Sequence, residues 1–363
     1  MDDFFPNLLT GFRVAEYNYY LEHFAELTVA SAYPHFDEEW ARYARAYPAL
    51  AHRVLRYDPE RLAGCRLAYL NFLNNAVLFL PALEAQRVPF VLTLYPGGGF
   101  GLGELESDAK LTRVLTSPLL RHVITTQRVT ARYVRERLPR DVAMSEVFGV
   151  VANPIYFAPP PARTWFDRGK MRFDICFVAE KYMPRGENKG YPAFIEAATE
   201  LAPRHREMDF HVVGGFEPGD IDVSALGGRI RFHGRLDTAA LRSFLQGMDV
   251  IVSPNEPFKL HAGNFDGFPT GCCVEASLCG VAVVAADPLG LNEGRYRDGR
   301  EFCLIGPAAA DVVRALDELA AQPARIAAMG RAGYAVTRRL FDPATQLGRR
   351  QAIIEGELAR AGA

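Results

Sequence analysis

The chain has 363 residues, of which 49% are apolar and 23% are charged, and its formal net charge at pH 7 is −2. A chain of this length exceeds one ordinary hydrophobic core, so we expect a globular protein with two domains. The nearly balanced charge gives no support for nucleic-acid binding, which usually shows as a strong basic excess.

The first half of the chain alternates between helical and strand patterns. Apolar runs predict strands at residues 27–30, 67–70, 90–95, 122–126 and 147–151. Helical periodicity covers residues 14–21, 74–86 and 129–138. Strands that alternate with helices at this spacing predict a parallel sheet wound with helices.

A glycine-rich loop, which contains Gly97, Gly98 and Gly99, follows the predicted strand at 90–95. Glycines at the carboxyl end of a parallel strand allow the backbone to approach a ligand closely. The loop has neither the G-x-G-x-x-G spacing of a dinucleotide site nor the Gly-Lys-Ser/Thr of a P-loop. We predict that it faces a ligand, and a mobile connector is the alternative.

Residues 121–140 form a basic segment with six arginines and one acid, Glu136. Such a segment could dock an anionic acceptor or the surface of a membrane. A solvated helix face is the alternative and the more common origin of this pattern.

The second half begins after a linker at residues 158–163, which contains Pro159, Pro160 and Pro161. Beyond it, strands are predicted at 174–179, 209–213, 230–234, 249–254 and 281–286. Helices are predicted at 191–201 and 238–246. We therefore expect a second wound domain, with ligands at the carboxyl ends of its strands.

Three cations, Lys181, Arg185 and Lys189, lie in the loop after the first of these strands. Cations at this edge of a sheet could neutralise a leaving diphosphate, and a solvated loop is the alternative. Asp220 and Asp222 resemble the D-x-D of metal-dependent nucleotide-sugar enzymes. No strand leads into that pair, so we predict no metal there.

Residues 264–286 predict a loop, a short helix and a buried strand. Pro269 and Thr270 stand where the helix would begin, and Gly280 stands where it would end. The apolar run at 281–286 is typical of a strand that is covered on both faces.

The start of this helix has the features of an anion site. The free N–H groups of Thr270, Gly271 and Cys272 would face the loop, where an anion could bind. Glu275 lies one turn further along, within reach of sugar hydroxyls. A phosphate held by a helix end beside a carboxylate indicates a nucleotide site.

A series of motifs from residue 147 to about residue 319 resembles the C-terminal domain of GT-B-fold glycosyltransferases, specifically the large retaining family called group 1 or family four. The motifs are VANPIYF at 151–157, FVA at 177–179 with a Lys-Gly at 189–190, VVGG at 212–215, FHG at 232–234, VSP at 252–254 and EASLCGVAVV at 275–284.

The resemblance implies an α/β fold of two Rossmann-like, doubly wound parallel-sheet domains that face each other across a cleft. Residues 1–157 would form the acceptor-side domain, with a C-terminal helix at 343–363 packing back onto it. Residues 158–342 would bind the nucleotide-sugar donor. The implied reaction moves a sugar from a UDP- or GDP-type donor to a hydroxyl acceptor, such as a glycan or a lipid-linked glycan. It would retain the anomeric configuration and need no metal.

The resemblance also implies roles for single residues. Glu275 would hold the donor ribose, Lys189 would neutralise the departing diphosphate, and the loop at residues 97–99 would sit against the donor. The predicted catalytic residues are Lys189, Arg185, Lys181 and Asp266. The other predicted substrate-binding residues are Thr270, Gly271, Cys272, Gly267, Phe268 and Gly214.

Three positions depart from the family pattern. The first glutamate of the family would align with Gly267, whereas the carboxylate here is Asp266, so one residue must be inserted before Glu275. The family has an arginine as the partner of its lysine, and Glu180-Lys181 stands at that place here. Lys181 or Arg185 must therefore substitute for the arginine. The N-terminal domain has Tyr95-Pro96 in place of a histidine.

Two other functions are consistent with these motifs. A non-catalytic GT-B subunit could bind a partner or a glycan, and a nucleotide-sugar epimerase would turn over donor without acceptor. An NAD enzyme is disfavoured, because neither half carries G-x-G-x-x-G after its first strand.

The location is predicted from three sequence features. The first residues lack the pattern of a secretory signal, and the most apolar segment, residues 67–83, is too short and too polar to span a membrane. The six cysteines include no C-x-x-C pair and are expected to be reduced. We therefore expect a cytoplasmic protein, with the basic segment offering contact at the inner face of the membrane.

Overall fold

The computed structural model describes residues 1–137, 142–159 and 163–361. The chain forms two compact units. The first contains Met1–Asn153, His261–Gly267 and Pro343–Ala363, and the second contains Pro154–Leu260 and Phe268–Asp342. Pro160 and Pro161 of the predicted linker, Leu138 of the predicted helix at 129–138 and Arg140 of the basic segment lie outside the described residues.

The first unit is built on parallel strands with helices between them. Its helices are α1 (Gly11–His23), α2 (Phe36–Ala46), α3 (Leu73–Ala85), α4 (Leu105–Leu115) and α5 (Arg128–Arg137). Its strands are β1 (Val29–Ser31), β2 (Val54–Arg56), β3 (Ala68–Asn71), β4 (Phe90–Leu94), β5 (Leu120–Thr125) and β6 (Ala143–Glu146). Strands β3, β4, β5 and β6 form a parallel sheet in that order, while β1 and β2 pair separately.

The predicted strand at 147–151 is wrong, because β6 ends at Glu146. The Val147 and Gly149 amides still donate to the carbonyls of Thr125 and Thr126. Gly149 has φ +77°, however, which turns the chain away from an extended ladder.

The second unit contains one six-stranded parallel sheet and a short ribbon. Its strands are β7 (Trp165–Phe166), β8 (Gly169–Lys170), β9 (Phe173–Val178), β10 (Met208–Val213), β11 (Ile230–Phe232), β12 (Val250–Ser253), β13 (Ala282–Ala286) and β14 (Cys303–Ile305). Its helices are α6 (Tyr191–Leu201), α7 (Thr238–Gly247), α8 (Gly271–Leu278), α9 (Ala309–Ala321) and α10 (Pro323–Leu340).

The strand order of the large sheet is β11-β10-β9-β12-β13-β14, and neighbouring strands pair in parallel. The chain therefore moves outward from β9 in one direction, returns to β12, and moves outward in the other. This is the order of a Rossmann-type, doubly wound fold, which confirms the predicted fold class.

The final helix, α11 (Arg349–Ala361), belongs to the first unit and is held there by a buried ion pair. Arg350 and Glu16 are fully buried, and the Arg350 Nε lies 3.6 Å from a Glu16 carboxylate oxygen. Glu16 also accepts hydrogen bonds from Tyr69, Asn71 (3.1 Å) and Tyr95 (3.3 Å). These interactions join the C-terminal helix to α1 and to the ends of β3 and β4.

The segment His261–Gly267 lies in the first compact unit, whereas the predicted domain division placed it with the second domain. The Leu102 amide donates to the Gly263 carbonyl at 2.8 Å, and the rings of Phe100 and Phe265 lie 6.0 Å apart in an edge contact. The segment thus packs on the loop after β4. The two units divide between Asn153 and Pro154, and the predicted domain boundary lies at residue 157.

No helix within the described residues is both long enough and apolar enough to cross a membrane.

Candidate nucleotide-binding site

The second sheet has a switch point between β9 and β12, where the direction of strand progression reverses. In open parallel sheets, ligands bind outside the carboxyl ends of the strands at such a point. The loop after β9 contains Lys181, Arg185 and Lys189, and the chain after β12 leads to α8. The predicted donor-site residues of the second unit therefore come from the elements that flank this point, except Gly214, which follows β10.

Helix α8 starts at Gly271 and presents its N-terminus beside the end of β12. Thr270 occupies the N-cap position, but its side chain does not cap the helix. Its hydroxyl lies 3.2 Å from the Cys272 sulfur and 3.4 Å from the Ser253 hydroxyl, which ends β12. The first-turn N–H groups thus lack a side-chain cap, and they can receive an anion.

The end of this helix and the strand that follows it agree with the sequence. Gly280 has φ +77°, the left-handed conformation in which glycine commonly follows a helix. The next strand, β13, is buried along its whole length.

Glu275 lies in α8 beside Tyr156, which sequence reasoning missed as a partner. Tyr156 is almost fully buried in the turn Pro154–Phe157, and its hydroxyl donates to the Thr238 carbonyl at 3.4 Å. Burial and then the neighbouring Cys272 raise the pKa of Glu275 to about 8, and the nearby Tyr156 hydroxyl only partly opposes this. Tyr156 stands in the VANPIYF motif, so a signal for it was present in the sequence.

This pKa predicts that Glu275 makes stability depend on pH. The folded-state pKa of about 8 exceeds the ordinary value of 4.5, so the folded state holds a proton that the unfolded state releases between these values. The stabilisation is fully present below about pH 4.5 and is lost as the pH rises to about 8, at about 1.4 kcal/mol per pH unit. E275Q should remove this slope.

The measurement is urea unfolding across this pH range, followed by tryptophan fluorescence. The chain has two tryptophans, Trp40 in the first unit and Trp165 in the second, so a W40F background reports on the second unit alone. E196Q, at an exposed position of α6, is the matched control and should keep the slope. Equal slopes in the parent and E275Q would contradict the assignment.

Lys189 lies in a tight turn between two glycines in the left-handed conformation, Gly186 and Gly190. A Cβ atom on Gly190 would lie 2.0 Å from the Pro254 carbonyl oxygen, so the turn packs directly against the chain leaving β12. The charge of Lys189 is near enough to act on the Cys272 thiol in the first turn of α8. The fold therefore brings Lys189 to the N-terminal end of this helix.

Lys181 is engaged in an ion pair. Its ammonium lies 2.9 Å from both carboxylate oxygens of Asp220, which also accepts the Glu217 amide. Burial raises the pKa of Asp220, but the amide and the ammonium outweigh it and hold the pKa below its usual range. The D-x-D motif thus begins with a carboxylate that positions Lys181. Arg185 is exposed.

The neighbouring Glu180 also has a partner. It accepts hydrogen bonds from Arg235, whose Nε lies 3.1 Å from each of its carboxylate oxygens. Within the described residues, no group of three His, Cys, Asp or Glu side chains could hold a metal ion. All six cysteines are free thiols.

Gly214 has a packing requirement that explains why it is glycine. Its φ is +128°, and a Cβ atom there would lie 1.9 Å from the Ala179 carbonyl oxygen. Its amide donates to the Gly234 carbonyl at 2.9 Å. Gly214 therefore allows the chains leaving β9, β10 and β11 to lie close together.

The glycine-rich loop of the first unit is packed against the start of α3. Gly97, Gly98 and Gly99 all have positive φ, and the Asn74 amide donates to the Gly98 carbonyl. A Cβ atom on Gly98 would meet the Phe72 ring at 2.4 Å, and one on Gly99 would meet the Asn74 side chain at 2.0 Å. Beside Gly97 the space is open. Packing thus accounts for two of the glycines and leaves Gly97 accessible.

The stretch that contains Asp266, Gly267 and Phe268 is divided between the units. Asp266 and Gly267 belong to the first unit, where a Cβ atom on Gly267 would lie 2.9 Å from the Gln127 amide nitrogen. Phe268 belongs to the second unit and is buried against Phe302. A catalytic role for Asp266 stays a prediction.

Residues 172–322 match the family model described as "Glycosyl transferases group 1". No curated protein sequence matches the chain. The structure of HepE from Anabaena in complex with UDP-glucose is 15% identical, with a TM-score of 0.72, and covers 98% of each chain.

Two further solved structures are similar over most of their length. A glycosyltransferase from Rickettsia africae is 15% identical, with a TM-score of 0.65, and covers 96% of this chain and 94% of its own. Sucrose-phosphate synthase from Thermosynechococcus elongatus is 16% identical, with a TM-score of 0.63, and the match covers 90% of this chain and 79% of the synthase chain. At these identities the similarity shows the GT-B fold.

Proposed function

Because the chain carries a group 1 glycosyltransferase domain over residues 172–322 and has the GT-B fold, we propose that it transfers a sugar from a nucleoside-diphosphate donor to a hydroxyl acceptor. The observation that carries the proposal is the meeting of Lys189, the N-terminus of α8 and Glu275 beside the switch point of the second sheet. This arrangement offers a cation, backbone donors and a carboxyl group to one ligand.

Each group matches a different part of a sugar nucleotide. The N–H groups at the start of α8 and the Lys189 ammonium would bind the diphosphate. Glu275 would hydrogen-bond the ribose hydroxyls, which a protonated carboxyl can do as donor and acceptor, and a carboxylate as acceptor only. UDP-hexoses are the first donors to test, since the HepE structure contains UDP-glucose.

The reaction would depend on stabilising the leaving group. As the bond between the anomeric carbon and the phosphate oxygen breaks, negative charge grows on the diphosphate, and Lys189 with the helix N-terminus would stabilise it without a metal. The acceptor oxygen would form its bond on the same face of the sugar and pass its proton to the departing phosphate. This course retains the anomeric configuration.

The proposal assigns the donor to the second unit and the acceptor to the first. The first unit has its own parallel sheet, with open space beside Gly97 after β4. Ligands of such sheets bind at the carboxyl ends of the strands.

The test is nucleotide release from a panel of UDP, GDP, TDP and CMP sugars, with and without EDTA. We expect nucleotide release from the sugars of one nucleoside diphosphate and stabilisation of the protein by that nucleotide. The rate of release should be the same in EDTA. Product NMR would report the anomeric configuration. Failure of every donor to react or to bind would overturn the proposal in favour of a non-catalytic subunit. Rapid donor conversion without release would favour an epimerase.

A further inference from the structure

The first unit contains a cationic cavity that the donor site does not use. It has a volume of about 170 Å³, and its polar lining comes from Thr125, Arg128, Arg132, Arg135, Ser145 and Glu146. Thr125 ends β5 and Glu146 ends β6, so the cavity lies at the carboxyl edge of the parallel sheet. Ligands of parallel sheets bind at this edge.

The three arginines reach the cavity because they share one face of α5. Arg128, Arg132 and Arg135 are spaced by four and three residues, which places them in line along a helix. Helix stability does not account for Arg128, because a cation in the first turn of a helix opposes its dipole and the first turn of α5 contains no acid. Arg135 lies in the last turn, where the dipole favours a cation.

Charge is only partly balanced within the cavity. The Arg128 Nε lies 3.8 Å from a Glu146 carboxylate oxygen. No carboxylate in the described part of the chain forms an ion pair with Arg132 or Arg135, and both side chains are exposed. A fourth arginine, Arg349 of α11, donates to the Glu146 carbonyl at 3.0 Å and adds positive charge at the same edge.

Arg137, on the same helix, is a natural comparison. Its guanidinium lies 3.4 Å from the centre of the Tyr133 ring and 3.7 Å from Asp108, and it does not line the cavity. The uncompensated charge is thus confined to the cavity face of α5.

We propose that this cavity binds a phosphate group carried by the acceptor. Two guanidinium groups remain after Glu146 is paired, which matches a phosphate of about −2 better than a carboxylate of −1. Guanidinium groups bind phosphate through paired hydrogen bonds, so the arginines are the groups that would hold it. That the phosphate belongs to the acceptor rests on the proposed glycosyl transfer, whereas the anion site itself does not.

Calorimetric titration with inorganic pyrophosphate in the presence of saturating UDP tests the cavity apart from the donor site. We expect one pyrophosphate site that UDP does not block. R132S/R135S should lower the affinity for pyrophosphate about 100-fold, at about 10-fold for each guanidinium group removed. R132K/R135K should lower the affinity less, because the positive charge remains while the paired hydrogen-bond geometry is lost. R137S should leave the affinity unchanged.

Three results would overturn the proposal. One is the absence of pyrophosphate binding in saturating UDP, and another is binding that R132S/R135S leaves intact in a folded protein. The third concerns vesicles of equal parts phosphatidylcholine and phosphatidylglycerol. If the parent chain binds these vesicles but not pyrophosphate, and R132S/R135S no longer binds the vesicles, the arginines contact a membrane surface instead. UDP binding by the parent chain is measured separately, so failure of the glycosyltransferase proposal is recognised independently.

Discussion

Replacement of Lys189 by alanine should lower sugar-nucleotide turnover about 100- to 1,000-fold, the usual effect of removing one preorganised group that stabilises a developing negative charge. The turn at residues 187–189 is held by the close approach of Gly190 to Pro254 and not by the lysine side chain. The free energy of unfolding should therefore change little. Single-turnover kinetics with the preferred donor would measure the loss in the chemical step.

Two further variants make this prediction specific. R314A removes an exposed cation on α9 that pairs with Asp311 and should keep full activity. K181A should have a smaller effect than K189A, because Asp220 already compensates the charge of Lys181. Turnover in K189A within a factor of two of the parent chain would remove Lys189 from the mechanism.

Replacement of Arg350 by methionine should destabilise the first unit by about 3–5 kcal/mol, since it leaves the buried carboxylate of Glu16 without its cation. The same change also removes the hydrogen bonds from Arg350 to the Gln346 side chain and the Tyr95 hydroxyl. Urea unfolding followed by Trp40 fluorescence in a W165F background would report on the first unit.

A double-mutant cycle separates the ion pair from the packing of Arg350. E16Q/R350M should be less destabilised than the sum of the two single variants, because neither buried charge is then left alone. R66M, at a residue of the first unit that is 58% exposed and pairs with the exposed Glu26, is the control and should change stability by less than about 1 kcal/mol. Strict additivity, or a loss in R350M no larger than in R66M, would contradict the prediction.

The donor half of the molecule could be predicted largely from its sequence. Continuous apolar runs indicated β9, β10, β12 and β13, and Gly280 marked the end of α8. These signals are local, because strand burial and helix termination depend on a few adjacent side chains and on backbone φ. The motifs between residues 147 and 319 occur in the same order as in GT-B glycosyltransferases and likewise indicated the fold, which the comparisons confirm.

Local patterns failed where a different segment supplied the partner. The apolar run at 147–151 predicted a strand, but the residues that pair with β5 precede it. The sequence did not distinguish Lys181 from Arg185 as the second cation. The structure separates them, because Asp220 lies 39 residues beyond Lys181 in the chain and pairs with it.

Tertiary structure alone decided which unit each part of the chain joins. Residues 261–267 pack on the loop after β4, and Arg350 meets Glu16 although the two are 334 positions apart in the sequence. It also placed Tyr156 beside Glu275 and gathered three arginines of α5 into one cavity. The sequence by itself determined the elements and the chemistry available. Which groups are buried, paired or left with unbalanced charge depends on interactions between distant segments, and only the folded chain brings those segments together.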